Sequence, residues 1–298
     1  MPPCARSGPP LAPPPPSGAA RLIAVLVVLA ALAGAVWWLW LRPAQAPAPQ
    51  ADVPAPAAAP AEPVASAPAE PALHHPVDAL GEADAQLPPL AQSDDAVRQA
   101  LEGLLGAQQA ATWLQLDGFV HRAVATVDNL ARPQASVRLW PVQPTAGRFA
   151  VDGPPDAQTQ TIAADNAGRY RAFVALAESV PQDAAVKLYA RLYPLLQSAY
   201  EELGYPGRYF NDRLVAVLDH LLATPEPGQP LAVQLTRVEG EVASTRPWVR
   251  YEFADPKLQA LSSGQKMLLR MGPDNARRLK AVMTTLRARV ATGVRPAN

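Results

Sequence analysis

Asp183-Ala184-Ala185-Val186-Lys187-Leu188-Tyr189-Ala190-Arg191-Leu192-Tyr193-Pro194-Leu195-Leu196-Gln197-Ser198-Ala199-Tyr200-Glu201-Glu202-Leu203 is the stretch that decides the fold of this chain. Val186, Tyr189, Tyr193, Leu196, Tyr200 and Leu203 recur at helical spacing on one face, and Leu188, Leu192 and Leu195 on another. A helix that is apolar on two sides must be covered on two sides, so the spacing predicts the central helix of a domain. Pro194 lies in its middle and lacks the N–H that an interior helical position needs, which predicts a kink or a break into two helices.

Helical signals continue on both sides of it. Ser93 stands as an N-cap before Asp94 and Asp95, with Val97, Leu101, Leu104 and Leu105 on one stripe. A second helix is expected over Asp117 to Leu130, with Phe119, Val120, Ala123, Val124, Val127 and Leu130 inward, and further helices over Asn166 to Val180 and Asn211 to Leu222. Towards the C-terminus, Asp255-Pro256 reads as a cap with Pro in the first turn, Ser262 and Gln265 as a capping box, and Gly272-Pro273 as a break and restart. The last helix would face inward through Leu279, Val282, Met283, Leu286 and Val290. Period-2 alternation in Leu231 to Thr236 and Trp248 to Phe253 predicts an antiparallel pair joined by Arg237 to Pro247, and a weaker pair is expected at Val137 to Val142 and Arg148 to Asp152.

The expected fold class is therefore mainly α: one compact helical domain over 87–292 with one or two small antiparallel β-hairpins, and a short tail over 293–298. Its surroundings differ sharply in composition. Leu22 to Leu41 carries no charge, is bracketed by Arg21 and Arg42, and ends in Trp37, Trp38 and Trp40. At the helical rise it spans about 30 Å, the thickness of a bilayer's hydrocarbon core, and its aliphatic residues favour insertion by about 3 to 6 kcal/mol. The competing reading is a secretory leader cleaved near Ala44-Gln45-Ala46. The length of the run and the Trp cluster favour an anchor over 21–42.

Arg6 and Arg21 on one side against Arg42 alone on the other orient a single-pass protein with a cytoplasmic N-terminus and a periplasmic C-terminal domain, in the inner, cytoplasmic membrane of a two-membrane cell. Residues 1–20 read as a disordered proline-rich tail and 43–86 as a Pro/Ala-rich extended linker, in which His74 and His75 are expected to be solvated.

Composition excludes several chemistries. The only cysteine, Cys4, falls on the cytoplasmic side, so the exported domain has neither disulfide nor thiol chemistry. With 26 basic and 26 acidic residues the net charge is zero, which gives nucleic acid no field to follow. No phosphate-binding loop, dinucleotide fingerprint, nucleophile elbow or metal-helix spacing occurs, so no cofactor or metal is expected. Ser263-Gly264-Gln265-Lys266 has the Ser-x-x-Lys form used by penicillin-binding proteins, yet its partner motifs are missing and a capping role explains the serines. His121 and Asp128 can share a helix face, and a structural histidine explains that as well. From Lys266 on, Arg270, Arg277, Arg278, Lys280, Arg287, Arg289 and Arg295 outnumber Asp274. This basic C-terminal segment either meets an acidic envelope protein or anionic polymer, or pairs with the domain's own acids, such as Glu201, Glu202, Asp212, Glu239 and Glu241.

A set of motifs also resembles a known family. Val127 to Arg132, Ala199 to Pro206, Leu221 to Pro225, and above all Tyr251 to Pro256 through Gln265 to Asn275 are similar to the bacterial domain of unknown function 3014. The resemblance covers most of Leu87 to Val290. It implies the layout of span, low-complexity linker and domain, mostly in proteobacteria, and implies no activity. If its motif residues mark a site, Asp128, Asn129, Arg132, Arg270, Asn275 and Arg277 are the binding candidates, with Asn129 and Asn275 equally explained as polar groups that bridge helices. The functional expectation is an envelope interaction module rather than an enzyme; the alternative is an envelope hydrolase using paired carboxylates or Ser263.

Overall fold

The structure is a computed structural model, and it describes residues 74–154, 157–228, 230–236 and 247–293. The expected tail, anchor and most of the linker, and the connection within 237–247 up to its last residue, lie outside the described residues. None of the described helices is long and apolar enough to cross a membrane.

Among the described residues the domain has nine α-helices and one four-stranded antiparallel sheet. The helices are α1 (Asp94–Leu105), α2 (Ala107–Trp113), α3 (Phe119–Leu130), α4 (Arg171–Ser179), α5 (Gln182–Glu202), α6 (Phe210–Leu222), α7 (Pro256–Gln259), α8 (Ser263–Arg270) and α9 (Pro273–Val290). The strands are β1 (Val151–Asp152), β2 (Gln160–Ile162), β3 (Ala232–Leu235) and β4 (Tyr251–Phe253).

Helix α5 runs through Pro194 without a break. It does serve two cores, but they divide along its axis rather than around it. Val186 near its start packs with Val215, Leu218, Leu221, Leu268, Met283 and Val290 of α6, α8 and α9. Leu192, Leu195, Ala199 and Tyr200 in its second half pack with Val97, Leu101, Val120, Val124 and Phe210. Each fully buried aliphatic side chain here contributes about 1.5 to 3 kcal/mol. Leu203, expected on an inward face, is largely exposed.

The expected caps are present at two of three places. The Asp255 side chain accepts from the Lys257 N–H, and Ser262 and Gln265 form a reciprocal capping box. Ser93 sits at the N-cap of α1, but its hydroxyl donates to the Leu90 carbonyl instead of accepting from the helix, and Asp94 accepts from the Gly118 N–H. Asn166 to Val180 divides into a 3-10 helix over Ala164–Tyr170 followed by α4.

The sheet corrects the two-hairpin expectation. β3 pairs with β4 as read, Val233 opposite Phe253. Val137–Leu139 is a 3-10 turn, and Pro141 removes a ladder donor from the expected run. β1 pairs instead with β2, and β2 joins β3 across the whole α4 to α6 segment. One apolar sheet face, Leu231, Val233 and Phe253, packs on Leu269 of α8.

Residues 74–86, read above as the end of the linker, are fastened to the domain. The His74 and His75 N–H groups donate to the Asp212 carboxylate, the His75 ring accepts from the Gly293 N–H, and Val77 is buried. Asn211, fully buried, donates to the carbonyls of His75 and Val290 and accepts from the Tyr189 hydroxyl, so one amide ties the entry of the chain to the end of α9.

Candidate ligand-binding cleft

Between the sheet edge and the helical body lies a cleft of about 710 Å³. Its walls come from chain segments far apart in sequence. The connection from α3 to β1 supplies Trp140 and Phe149, the 3-10 helix before α4 supplies Tyr170 and α4 supplies Phe173, Trp248 comes just before β4 and Tyr251 opens it, and α8 with the residue after it supplies Met267, Arg270 and Met271. Val137 and Val249, two of the most exposed large apolar side chains, also line it. A cavity of this size with mostly apolar, aromatic walls and a few polar groups has the form of a ligand site.

The long connection is held in place by polar bonds. Val142 makes an isolated bridge with Leu114, and the Gln115 and Gln143 N–H groups donate to the Pro141 and Trp113 carbonyls. Arg169 acts as a brace: its guanidinium donates to the carbonyls of Ala146 and Gly147, to the Thr145 hydroxyl and to Asn166 Oδ1. Gly147 takes a φ of 77°, a conformation that costs a residue with a Cβ. Across the rim, the Arg148 guanidinium lies 3.9 Å from the centre of the Trp248 ring, and the Phe149 and Tyr251 rings are 5.8 Å apart.

The electrostatics of the cleft are one-sided. Arg122, Arg138, Arg169 and Arg270 line it, and among the described residues no Asp or Glu does. Among the described residues none of these four is paired with a carboxylate. Arg270 is the most enclosed. One of its terminal nitrogens donates to the Tyr251 carbonyl at 2.7 Å, its guanidinium lies 5.8 Å and 5.4 Å from the Phe149 and Phe253 ring centres, and its Nε is enclosed with no acceptor among the described residues. Burial lowers the pKa of this guanidinium, an effect Tyr170 partly opposes, and among the described residues no carboxylate supplies the counter-charge that usually accompanies a buried cation. Trp140 Nε1 is likewise enclosed and without an acceptor among the described residues.

The model of the family described as protein of unknown function (DUF3014) matches residues 119–287. The chain belongs to this family. The DUF3014 segment begins at the first residue of α3 and ends within α9, so it contains nearly every residue of the cleft wall, Gln115 lying just outside it. Neither a curated protein nor a solved structure matches the chain.

The DUF3014 motif residues singled out from sequence do not converge on one site. Asp128 and Arg132 do meet, in a cluster away from the cleft. The Asp128 side chain is only 3% exposed and accepts from Arg132 at 2.6 Å, from Arg213 Nε at 2.9 Å and from the Tyr205 hydroxyl at 3.2 Å, while Arg213 also donates to the Asp128 carbonyl. The negative Asp128 raises the Arg132 pKa. These bonds tie α3 to α6 and to the turn after α5, which is a structural role. Asn129 contributes its carbonyl to the Ser263 hydroxyl at 2.9 Å. Asn275 is buried and donates to the carbonyls of Ala167 and Met271, and Arg277 is exposed and paired with Asp274. Of the candidates, Arg270 alone lines the cleft.

The other sequence-level constellations also resolve into structure. Ser263 donates to backbone carbonyls of α3, while the Lys266 amine donates to the Pro133 and Gln259 carbonyls, so serine and lysine are each engaged elsewhere. His121 pairs with Glu202 at 3.0 Å rather than with Asp128. Of the cleft residues not singled out from sequence, Trp140 and Phe149 come from the irregular connection between α3 and β1, while Arg169, Tyr170 and Trp248 lie in stretches whose periodicity signalled an element but not a site. The available signal was compositional and weak: aromatic residues (Trp140, Phe149, Tyr170, Phe173, Trp248, Tyr251, Phe253) are frequent in the stretches 138–173 and 248–253.

Proposed function

We propose that this DUF3014 protein is an interaction module of the bacterial envelope, with the aromatic, arginine-bearing cleft as its ligand surface and a negatively charged ligand that presents apolar or ring surface to the walls. The span at Leu22 to Leu41 holds it in the cytoplasmic membrane and the domain works in the periplasm, on an arm formed by the Pro/Ala-rich stretch. The observation that carries the reading is a cleft whose described wall holds four arginines and, among the described residues, no acid. An enclosed cation with no described counter-ion, as at Arg270, costs stability, and a site that keeps one is best understood as waiting for an anion.

The test is photo-crosslinking in cells with the full-length protein. A photoreactive phenylalanine replaces Val249 on the cleft rim or, as the control, Ala288 on the exposed side of α9. Adducts to an envelope component at Val249, lost in the Arg169→Gln, Arg270→Gln double variant and absent at Ala288, are expected. Capture at Ala288 alone, or capture at Val249 indifferent to the two arginines, would remove the cleft from the account.

A further inference from the structure

The cleft has a neighbour. A second cavity of about 470 Å³ lies where the start of α3 meets the end of α5, with His121 and Ala125 from the one and Ala199 and Glu202 from the other in its wall. The 3-10 turn Val137–Leu139 stands between the two hollows. Val137 lines the cleft, Leu139 lines the second cavity, and Arg138 lines both, as Arg122 does. Two bonds hold the turn on α3, from the Arg122 guanidinium to the Arg138 carbonyl at 2.6 Å and from the Thr126 hydroxyl to the Leu139 carbonyl at 3.0 Å, and none of the turn's residues is buried.

Exposed apolar side chains gather on this surface. Six large ones stand out among the described residues, and four of them, Leu203, Leu139, Val137 and Val249, line one cavity or the other while 43, 40, 68 and 68% exposed. Single exposed aliphatics are ordinary on a protein surface, whereas a group of them over two adjoining hollows marks a surface that a partner covers. Their branched aliphatic shape suits the side chains of a peptide better than the hydroxyl-bearing face of a saccharide. Positive charge sits between the apolar ends. Arg138 is exposed on the turn, and the bonds of Arg122 to the carbonyls of Asp117 and Arg138 leave its charge in place. The acids of the second cavity are engaged, Asp117 with Arg98 and Glu202 with His121. A complementary segment therefore carries a carboxylate in its middle and an apolar residue to either side. A short helical turn with its side chains is on the order of 10 Å across, about three residues of extended chain at roughly 3.3 Å each. The two apolar residues are expected about three to four positions apart.

We infer that the cleft and the second cavity are two ends of one peptide groove, and that its occupant is an extended segment of a partner protein with an acidic residue over Arg138 and an apolar residue in each cavity. The inference rests on the reading of the cleft as a ligand site and gives the ligand a class and a length. Selectivity follows from the division of the groove: a segment with one apolar residue, or with the wrong spacing, fills one cavity and leaves the other open.

Photo-crosslinking in cells with the full-length protein tests this, with the photoreactive phenylalanine at Leu203 in the second cavity or at Val249 on the cleft rim, and the adducts mapped by mass spectrometry. Adducts from the two positions are expected to fall on one partner protein, in a single stretch, a few residues apart and on either side of an acidic residue. Arg138→Glu, a change at an exposed side chain, is expected to lower both yields several-fold, and Arg138→Lys to keep them. The inference is overturned by adducts that fall on different molecules or on distant parts of one protein, that form on a glycan or a lipid, that join two copies of this chain, or that ignore Arg138→Glu. Capture at Val249 that depends on Arg169 and Arg270, with none of the same partner at Leu203, would sink the inference and leave the proposed function standing; no capture at Val249 would sink both.

Discussion

Two basic regions of this protein look opposite in sequence and in space. The C-terminal helix α9 and the residues just before it concentrate positive charge along one stretch of chain, whereas the cleft arginines, Arg122, Arg138, Arg169 and Arg270, are scattered over half the domain. In space α9 is largely neutralised. Arg277, Arg278, Lys280, Arg287 and Arg289 pair with Asp274, Glu178, Glu226, Asp219 and Asp183. The acids expected from sequence are used otherwise where described: Glu202 by His121, Glu201 by Gln197 and Asp212 by the backbone of His74 and His75. The cleft, with no run of charge to announce it, keeps its cations without described carboxylate partners. Local charge density in a sequence says little about field; what counts is which charges the fold leaves unanswered.

The comparison can be sharpened by removing one partner from each of several acid–arginine pairs, beginning with the most buried. Asp128→Ala should destabilise the domain by roughly 3 kcal/mol in urea unfolding, because Arg213 and the Tyr205 hydroxyl lose a nearly dry carboxylate. An intact midpoint would show that the cluster is not the structural tie between α3 and α6 described above. On α9 the effect should be far smaller. Arg287→Ala breaks a two-bond contact to Asp219 at 2.7 and 3.0 Å that remains partly solvated, so a loss within about 1 kcal/mol is expected.

The smallest effect is one of pH. The Arg278 hydrogen bond holds the Glu178 carboxyl below its ordinary range. A depressed acid contributes stability that is present above its unfolded pKa and is lost as pH falls through the folded one. Arg278→Ala should therefore lower the unfolding midpoint slightly near pH 7, with the difference from wild type shrinking as pH is taken down through the folded-state pKa. The reverse ordering would contradict the pairing.

How much of this was legible follows from where the information lies in the chain. Helices α1, α3, α5, α6 and α9 carry 3.6-residue apolar stripes, and such stripes exist because a helix must bury one side, so the sequence displays them. The capping box at Ser262 and Gln265 was equally readable, since it is a local hydrogen-bond exchange. The β2 to β3 pairing is not local, and no short-range signal ties Gln160 to Val233. Gly264 is a similar case. A Cβ there would lie 2.5 Å from Leu221 Cδ2 and 2.9 Å from the Leu130 carbonyl oxygen, so the glycine permits α8 to approach α3, a reason invisible until both helices are placed. Gly264→Ala is expected to cost about 1 to 3 kcal/mol by overpacking, readable from the same unfolding curves. Of the site residues picked from sequence only Arg270 lies in the cleft, since the other walls come from helices, a strand and a connection far apart in sequence, whose residues acquire a common purpose through tertiary contact.

The central claim is that Arg270 is kept for a ligand and at some cost to the fold. Urea unfolding of the full-length Arg270→Met protein beside the wild type tests it directly. Replacing an enclosed cation that has no described counter-ion with an apolar side chain of similar reach should leave the midpoint equal or raise it, even though the bond to the Tyr251 carbonyl is lost. A midpoint lowered by the equivalent of about 2 kcal/mol or more would mean that the guanidinium is a structural strut, and the claim would fail.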